Sequence, residues 1–231
     1  MATNRPTVLL VHGFWGGAAH WAKVIVELRR RGYDQLRAVE NPLTSLEDDA
    51  ARTQQMIKQV DGPVLLVGHS YGGAVITEAG DLPNVVGLVY VAAFAPDKGE
   101  SLASIGEVAP ASGGASIAPD SDGYLWIKQE EFHQAFCQDL PDDEALVMAV
   151  TQRAPLGAAY GAPAGEPAWR NKPVWYQVST EDRMIQPDNE RRMAARMNPR
   201  KVIELNSSHA SLASQPLPIV DLIDEAVGDL G

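Results

Sequence analysis

The chain has a single cysteine, Cys137, among 231 residues. An intrachain disulfide is therefore excluded, as are a CxxC redox pair and a thiolate cage for a metal. A reducing, cytoplasmic setting is the expectation. Cys137 ends the apolar helical pattern Phe132-His133-Gln134-Ala135-Phe136-Cys137, where a packed thiol is expected rather than a nucleophile.

Basic residues are also scarce: 19 Lys and Arg stand against 30 Asp and Glu, a net charge of -11. Such a charge repels phosphate backbones and anionic lipid surfaces, so neither nucleic acid nor membrane is expected as a partner. Long hydrophobic runs are missing. The longest, Val85 to Ala95, is about half of the roughly 20 residues that a membrane span needs. Near the N-terminus, Val8-Leu9-Leu10-Val11 stops at His12, too short for the apolar core of a signal peptide. The chain also lacks a G-x-G-x-x-G that opens a helix, a G-x-x-x-x-G-K-S/T phosphate loop and an H-E-x-x-H zinc pattern. No nucleotide, metal or other cofactor is expected.

What is present is ordinary globular material, 45% hydrophobic and 21% charged, in a length that suits one domain spanning 1–231. Thr7 to Val11, Leu36 to Val39, Val64 to Val67, Val86 to Val91, Val174 to Val178 and Val202 to Leu205 look like strands. Their apolar residues are continuous rather than alternating, as in a sheet covered on both faces. Helical spacing separates them in Trp21 to Arg31, Leu46 to Val60, Gly73 to Ala79, Asp188 to Met197 and Ile219 to Val227. The alternation predicts an α/β fold: a doubly wound, mostly parallel sheet of about six strands. From about residue 96 to residue 171 the rhythm stops. No strong strand stands out there, amphipathic stretches such as Leu125 to Phe136 and Asp142 to Arg153 do, and a mainly helical lid is expected.

The most telling stretch is Gly68-His69-Ser70-Tyr71-Gly72, which follows the apolar run Val64 to Val67 and leads into a helical pattern. Strand, sharp turn and helix in that order describe a nucleophile elbow, with small neighbours making room for a strained central serine. A serine hydroxyl needs a base, an acid to orient the base, and donors for the oxyanion. In open α/β sheets these groups collect at the carboxyl ends of strands. Of five histidines, only His209 follows the last expected strand and precedes the closing helix. His12 suits a structural role in its loop, His69 points away from its neighbour Ser70, and His20 and His133 fall inside helical patterns. For the acid, the turn after Val174 to Val178 carries Glu181 and Asp182; Asp182 is the choice and Glu181 the fallback. Asp97 is better read as a loop carboxylate. The order Ser70, Asp182, His209 is the one expected of this fold. Phe14 N–H, in the glycine-rich loop His12-Gly13-Phe14-Trp15-Gly16-Gly17, and Tyr71 N–H are the expected oxyanion donors.

These motifs resemble the α/β-hydrolase superfamily along nearly the whole chain. Within it they are similar to the small-lid branch of plant hydroxynitrile lyases, plant methylesterases and bacterial carboxylesterases, some of which cleave pyrethroids. His12-Gly13, Gly68 to Gly73, Asp182 with Ile185-Gln186-Pro187, and Ser208-His209 carry the likeness. The resemblance implies Ser70 as nucleophile, Asp182 as acid and His209 as base. The lyases of that branch carry a threonine where Gly13 stands and a lysine where Ala210 stands. Ester hydrolysis through an acyl-enzyme is therefore the expected function. A carbon-carbon bond lyase or hydrolase and a triad-retaining receptor for a small ligand are the alternatives. The expected partner is a small-molecule ester, and the chain is expected to act as a monomer or homodimer. Trp15 is expected to touch substrate, and Trp126, Phe132, Phe136 and Trp169 either line the cavity or form the lid's own core.

Overall fold

The structure is a computed structural model that describes residues 5–231. Six parallel strands form the main sheet in the order β2-β1-β3-β4-β7-β8. They are β1 (Thr7–Val11), β2 (Leu36–Val39), β3 (Val64–His69), β4 (Val85–Val91), β7 (Val174–Ser179) and β8 (Lys201–Leu205). On one face lie α1 (Ala22–Arg30) and α10 (Pro216–Leu230); on the other lie α2 (Leu46–Ile57), α3 (Tyr71–Ala79) and α8 (Pro187–Met197).

Two covered faces explain why the strands read as unbroken apolar runs. Val8, Leu10, Leu65, Val67, Val89 and Val91 point into the layer of α1 and α10, while Leu9, Val11, Leu66, Leu88 and Tyr90 point into the opposite one. All eleven are completely buried, and each large aliphatic side chain removed from water in this way stabilises the fold by about 1.5–3 kcal/mol. Helix ends follow local chemistry. Ser45 accepts from Asp48 N–H at the start of α2, and Pro187 opens α8, where its missing N–H costs nothing. Asn198 closes α8 in the left-handed region at φ +48°.

The excursion between β4 and β7 contains α4 (Leu102–Val108), β5 (Ile117–Pro119), β6 (Leu125–Ile127), α5 (Phe132–Phe136), α6 (Asp142–Val150) and α7 (Gly157–Gly161). It differs from a purely helical insertion: β5 and β6 pair as an antiparallel hairpin. Leu125 to Phe136 is accordingly not one amphipathic helix but a strand, a turn of 3-10 helix and a five-residue α-helix. Asp120 builds the hairpin turn, its carboxylate accepting from Asp122 and Tyr124 N–H. The insertion is tied to the loops after β1 and β2. Arg153 C=O accepts from Trp15 N–H, Leu125 C=O accepts from Trp15 Nε1–H, and the Arg153 guanidinium pairs with Glu40. A last helix, α9 (Ser211–Ser214), precedes α10. Among the described residues no helix is long and apolar enough to cross a membrane.

The sheet order reverses at β1: the chain moves outward to β2, then returns to β3 on the other side. Loops leaving the carboxyl ends of β1 and β3 diverge there and open a crevice, the usual position of a site in such sheets.

Candidate active site

Ser70 sits at that crevice with φ +55° and ψ -127°, a conformation L-residues rarely adopt. The turn exists because its neighbours have no side chains. A Cβ on Gly68 would stand 2.6 Å from Gly72 O, and one on Gly72 would stand 2.3 Å from Val11 O. The Ser70 carbonyl is held by Gly73 N–H and Phe94 N–H at 2.9 and 3.0 Å. The strained backbone thus holds the Ser70 side chain against the loop after β1.

Three side chains meet here from separate strand ends. Ser70 Oγ lies 2.8 Å from His209 Nε2, and His209 Nδ1 lies 2.5 Å from Asp182 Oδ2. Asp182 Oδ1 accepts from Met184 and Ile185 N–H at 2.7 and 2.8 Å, so the carboxylate is fixed by the turn that carries it. With Oδ2 bonded to Nδ1–H, the His209 tautomer leaves Nε2 free to accept from the Ser70 hydroxyl. The His209 loop is braced in turn: Ser208 N–H donates to Asp139 of the insertion, and Ser211 Oγ donates to Gln177 on β7. The Phe136 ring lies edge-on to His209 at 4.9 Å between ring centres and shields the imidazole from water.

The other histidines are held elsewhere. His12 Nε2 accepts from Asn41 N–H at 3.0 Å, so Nδ1–H donates to Gly13 C=O at 2.8 Å, and burial holds the ring below its ordinary pKa. This neutral ring fixes the loop from beneath. His69 donates from Nε2 to the His209 carbonyl at 2.8 Å and is kept neutral by burial. Burial lowers His20 to about 4, and His133 donates to Leu140 C=O. Asp97 pairs with Arg170, and Glu181 takes no part in the cluster. The Cys137 thiol is buried and pushed up to about 12 by that burial, so it carries no thiolate at neutral pH.

The loop after β1 rests directly on the serine. A Cβ built on Gly13 would stand 2.5 Å from Ser70 Cβ and 3.0 Å from Ser70 Oγ. Next to it, Phe14 is stacked on Tyr71 with ring centres 3.9 Å apart, and Trp15 adopts φ +58°. Among the described residues neither Phe14 N–H nor Tyr71 N–H donates to another group. Tyr71 N–H also belongs to the first turn of α3, where the helix dipole favours negative charge.

A cavity of about 320 Å³ opens over Ser70, walled by Phe14, Trp15, Phe94, Ile117, Tyr160 and Met184 among others. Among the described residues no Lys or Arg lines it, and Glu107 is its one carboxylate. Trp15 is one of the lining residues. Of the aromatic candidates in the insertion, Phe136 lies against His209 and the other three lie away from the cavity. Trp126 is 40% exposed and donates to Asp120 on the hairpin, and Phe132 is fully buried against Phe136 within the insertion. Trp169 donates to Pro96 C=O, and the guanidiniums of Arg170 and Arg196 lie over its ring. None of the three lines the cavity. The lining residues missed include Phe94, after the end of β4, and Met184 and Ile185, two and three residues after Asp182, which the strand-end rule that located the triad would have found, and Ile117 and Tyr160 of the insertion, which it would not.

Strand order, elbow and the three-residue cluster together define a hydrolase of the α/β class. A family model described as the alpha/beta hydrolase family matches residues 8–222, and the chain belongs to that family. Among relatives, a protein named probable hydrolase R7 from a Phoma species is 25% identical over 97% of this chain and 99% of its own. A carbendazim hydrolyzing esterase from a Nocardioides species is 34% identical over 110 residues, 42% of this chain and 46% of its own. A pyrethroid hydrolase from Sphingobium faniae superposes with a TM-score of 0.79 at 20% identity, covering 96% of this chain and 97% of that one.

Proposed function

We propose that the protein hydrolyses carboxylic esters through an acyl-enzyme on Ser70, with His209 as general base and acid and Asp182 as the group that orients it. The contact that carries this reading is Ser70 Oγ at 2.8 Å from His209 Nε2, backed by Asp182 at 2.5 Å from Nδ1. As Oγ bonds to the ester carbon, its proton passes to Nε2, and the carbonyl oxygen becomes an oxyanion bound by Phe14 N–H and Tyr71 N–H. The intermediate collapses by breaking the bond to the alkoxy oxygen, which takes the proton from His209 and leaves as the alcohol. Water then gives a proton to His209 as its oxygen bonds to the acyl carbon; the bond to Oγ breaks, Oγ takes the proton back from His209, and the acid leaves.

The insertion acts as the cover of the site, and its apolar wall suits an uncharged ester of modest size. An anionic substrate would meet Glu107 and no compensating cation. Names of relatives point the same way: an esterase and a pyrethroid hydrolase, both reported above, and a methylesterase of Arabidopsis thaliana with 34% identity over 110 residues. Cyanohydrin cleavage has less support, since position 13 leaves no room for a side chain and position 210 is a buried alanine.

The test is a panel of p-nitrophenyl esters of increasing acyl length, measured with the parent and Ser70→Ala. The parent turns over the shorter neutral esters, and Ser70→Ala lowers kcat by about 10⁶-fold, the loss seen when a nucleophile is removed from such a triad. Turnover by the folded variant within tenfold of the parent would overturn the proposal.

A further inference from the structure

Glu190 is a buried acid that the steps above leave without a task. It lies in the first turns of α8 with its side chain completely enclosed. Oε2 accepts from Ser179 N–H, at the carboxyl end of β7, at 3.1 Å. Oε1 has no donor directed at it, yet the Asp182 carboxyl is within hydrogen-bonding reach. Were Glu190 ionised, Oε1 would be an anionic oxygen enclosed without a partner, one of the costliest arrangements a protein interior can contain. As a carboxylic acid it becomes a donor with an acceptor beside it.

The proton belongs on Glu190 and not on Asp182 because of what each accepts. Asp182 accepts N–H bonds from Met184, Ile185 and His209, and its two oxygens still have a lone pair free for one more donor. Glu190 takes one. We propose that Glu190 is a positioning residue for the reaction: neutral, it donates from Oε1 to Asp182 and fixes the carboxylate that orients His209. This rests on the hydrolase reading of the site.

The surrounding charges agree. Burial, first, and the Asp182 charge, second, push Glu190 well above the usual carboxylate range. Tyr176 on β7 faces the pair with its own phenol raised by burial and by Glu190 and donates to Ala93 C=O. Arg191, next in α8, pulls the other way only weakly, because its guanidinium is turned outward to Glu204 and Asp188.

Two variants separate positioning from packing. Glu190→Gln keeps both bonds, with its carbonyl oxygen accepting from Ser179 N–H and its amide donating to Asp182, whereas Glu190→Met keeps the volume and loses the donor. We expect Glu190→Gln to stay within about threefold of the parent kcat, and Glu190→Met to lose about 10–100-fold in kcat with KM nearly unchanged, the range for a hydrogen bond to a charged group. Two readouts need no turnover. Infrared spectra of the parent at pH 7 contain a protonated-carboxyl carbonyl band that Glu190→Gln removes, and the downfield proton NMR line of His209 Nδ1–H shifts in Glu190→Met but not in Glu190→Gln. Absence of that band from the parent, or kcat and NMR line equal in parent and Glu190→Met, would overturn the proposal. Should Glu190→Met fail to fold, the band decides. Should no ester be hydrolysed, the catalytic reading falls while band and NMR line still judge Glu190.

Discussion

A proton held on Glu190 has a consequence for stability that can be worked out in sign and size. The folded-state pKa of Glu190 lies well above the ordinary 4.5, so between the two values the folded chain binds one proton more than the unfolded chain. Stability therefore falls as pH rises through that window, by up to about 1.4 kcal/mol per pH unit for a single proton. Glu190→Gln cannot titrate and escapes this term, while every other group is common to both proteins and cancels. The stability difference, variant minus parent, should widen as pH rises from 5.5 to 6.5, by up to about 1.4 kcal/mol. For a chain of this length that corresponds to a gain of up to about 3–6 °C in the Tm difference. Urea unfolding at the two pH values, followed by circular dichroism, measures it directly. A difference that stays constant, or narrows, between the two pH values would show that Glu190 is ionised in the folded protein and would refute the reasoning.

Three further outcomes follow from the geometry. Gly13→Ala places a methyl 2.5 Å from Ser70 Cβ; it should displace the loop that carries Phe14 N–H and lower kcat by about 10²–10³-fold, with the circular dichroism spectrum unchanged. Ser70→Gly should be more stable than Ser70→Ala in denaturant titration, by about 1 kcal/mol, because releasing the backbone at φ +55° gains more than glycine's extra freedom costs. Cys137 should resist a thiol reagent in the folded protein at pH 8 and react at once in denaturant, since its thiol is buried and raised to about 12.

Most of the sheet was legible in the sequence, for a physical reason: strands covered on both faces must be apolar throughout, and such runs stand out against amphipathic helices. The starts of β1, β2 and β3 coincide with the starts of those runs. Ser70, Asp182 and His209 were readable because each follows a strand end, and the structure brings the three within hydrogen-bonding distance. The insertion was less legible. Its aromatic residues have much the same hydrophobicity whether they line a cavity, fill a small core or cover the surface; Tyr160, Phe132 and Trp126 exemplify the three outcomes. The β5–β6 hairpin escaped notice because three-residue strands carry no period to detect. Glu190 escaped for a different reason. A charged residue in a helical pattern reads as solvated, and only the seating of α8 against the end of β7 turns it inward.

Mass spectrometry of the protein after brief exposure to a fluorophosphonate or a slowly deacylating ester is the most direct test of the covalent step. The proposed mechanism predicts one adduct per chain, on the peptide containing Ser70, absent from Ser70→Ala and formed far more slowly in His209→Ala. An adduct on another residue, or ester turnover without any adduct at Ser70, would contradict it.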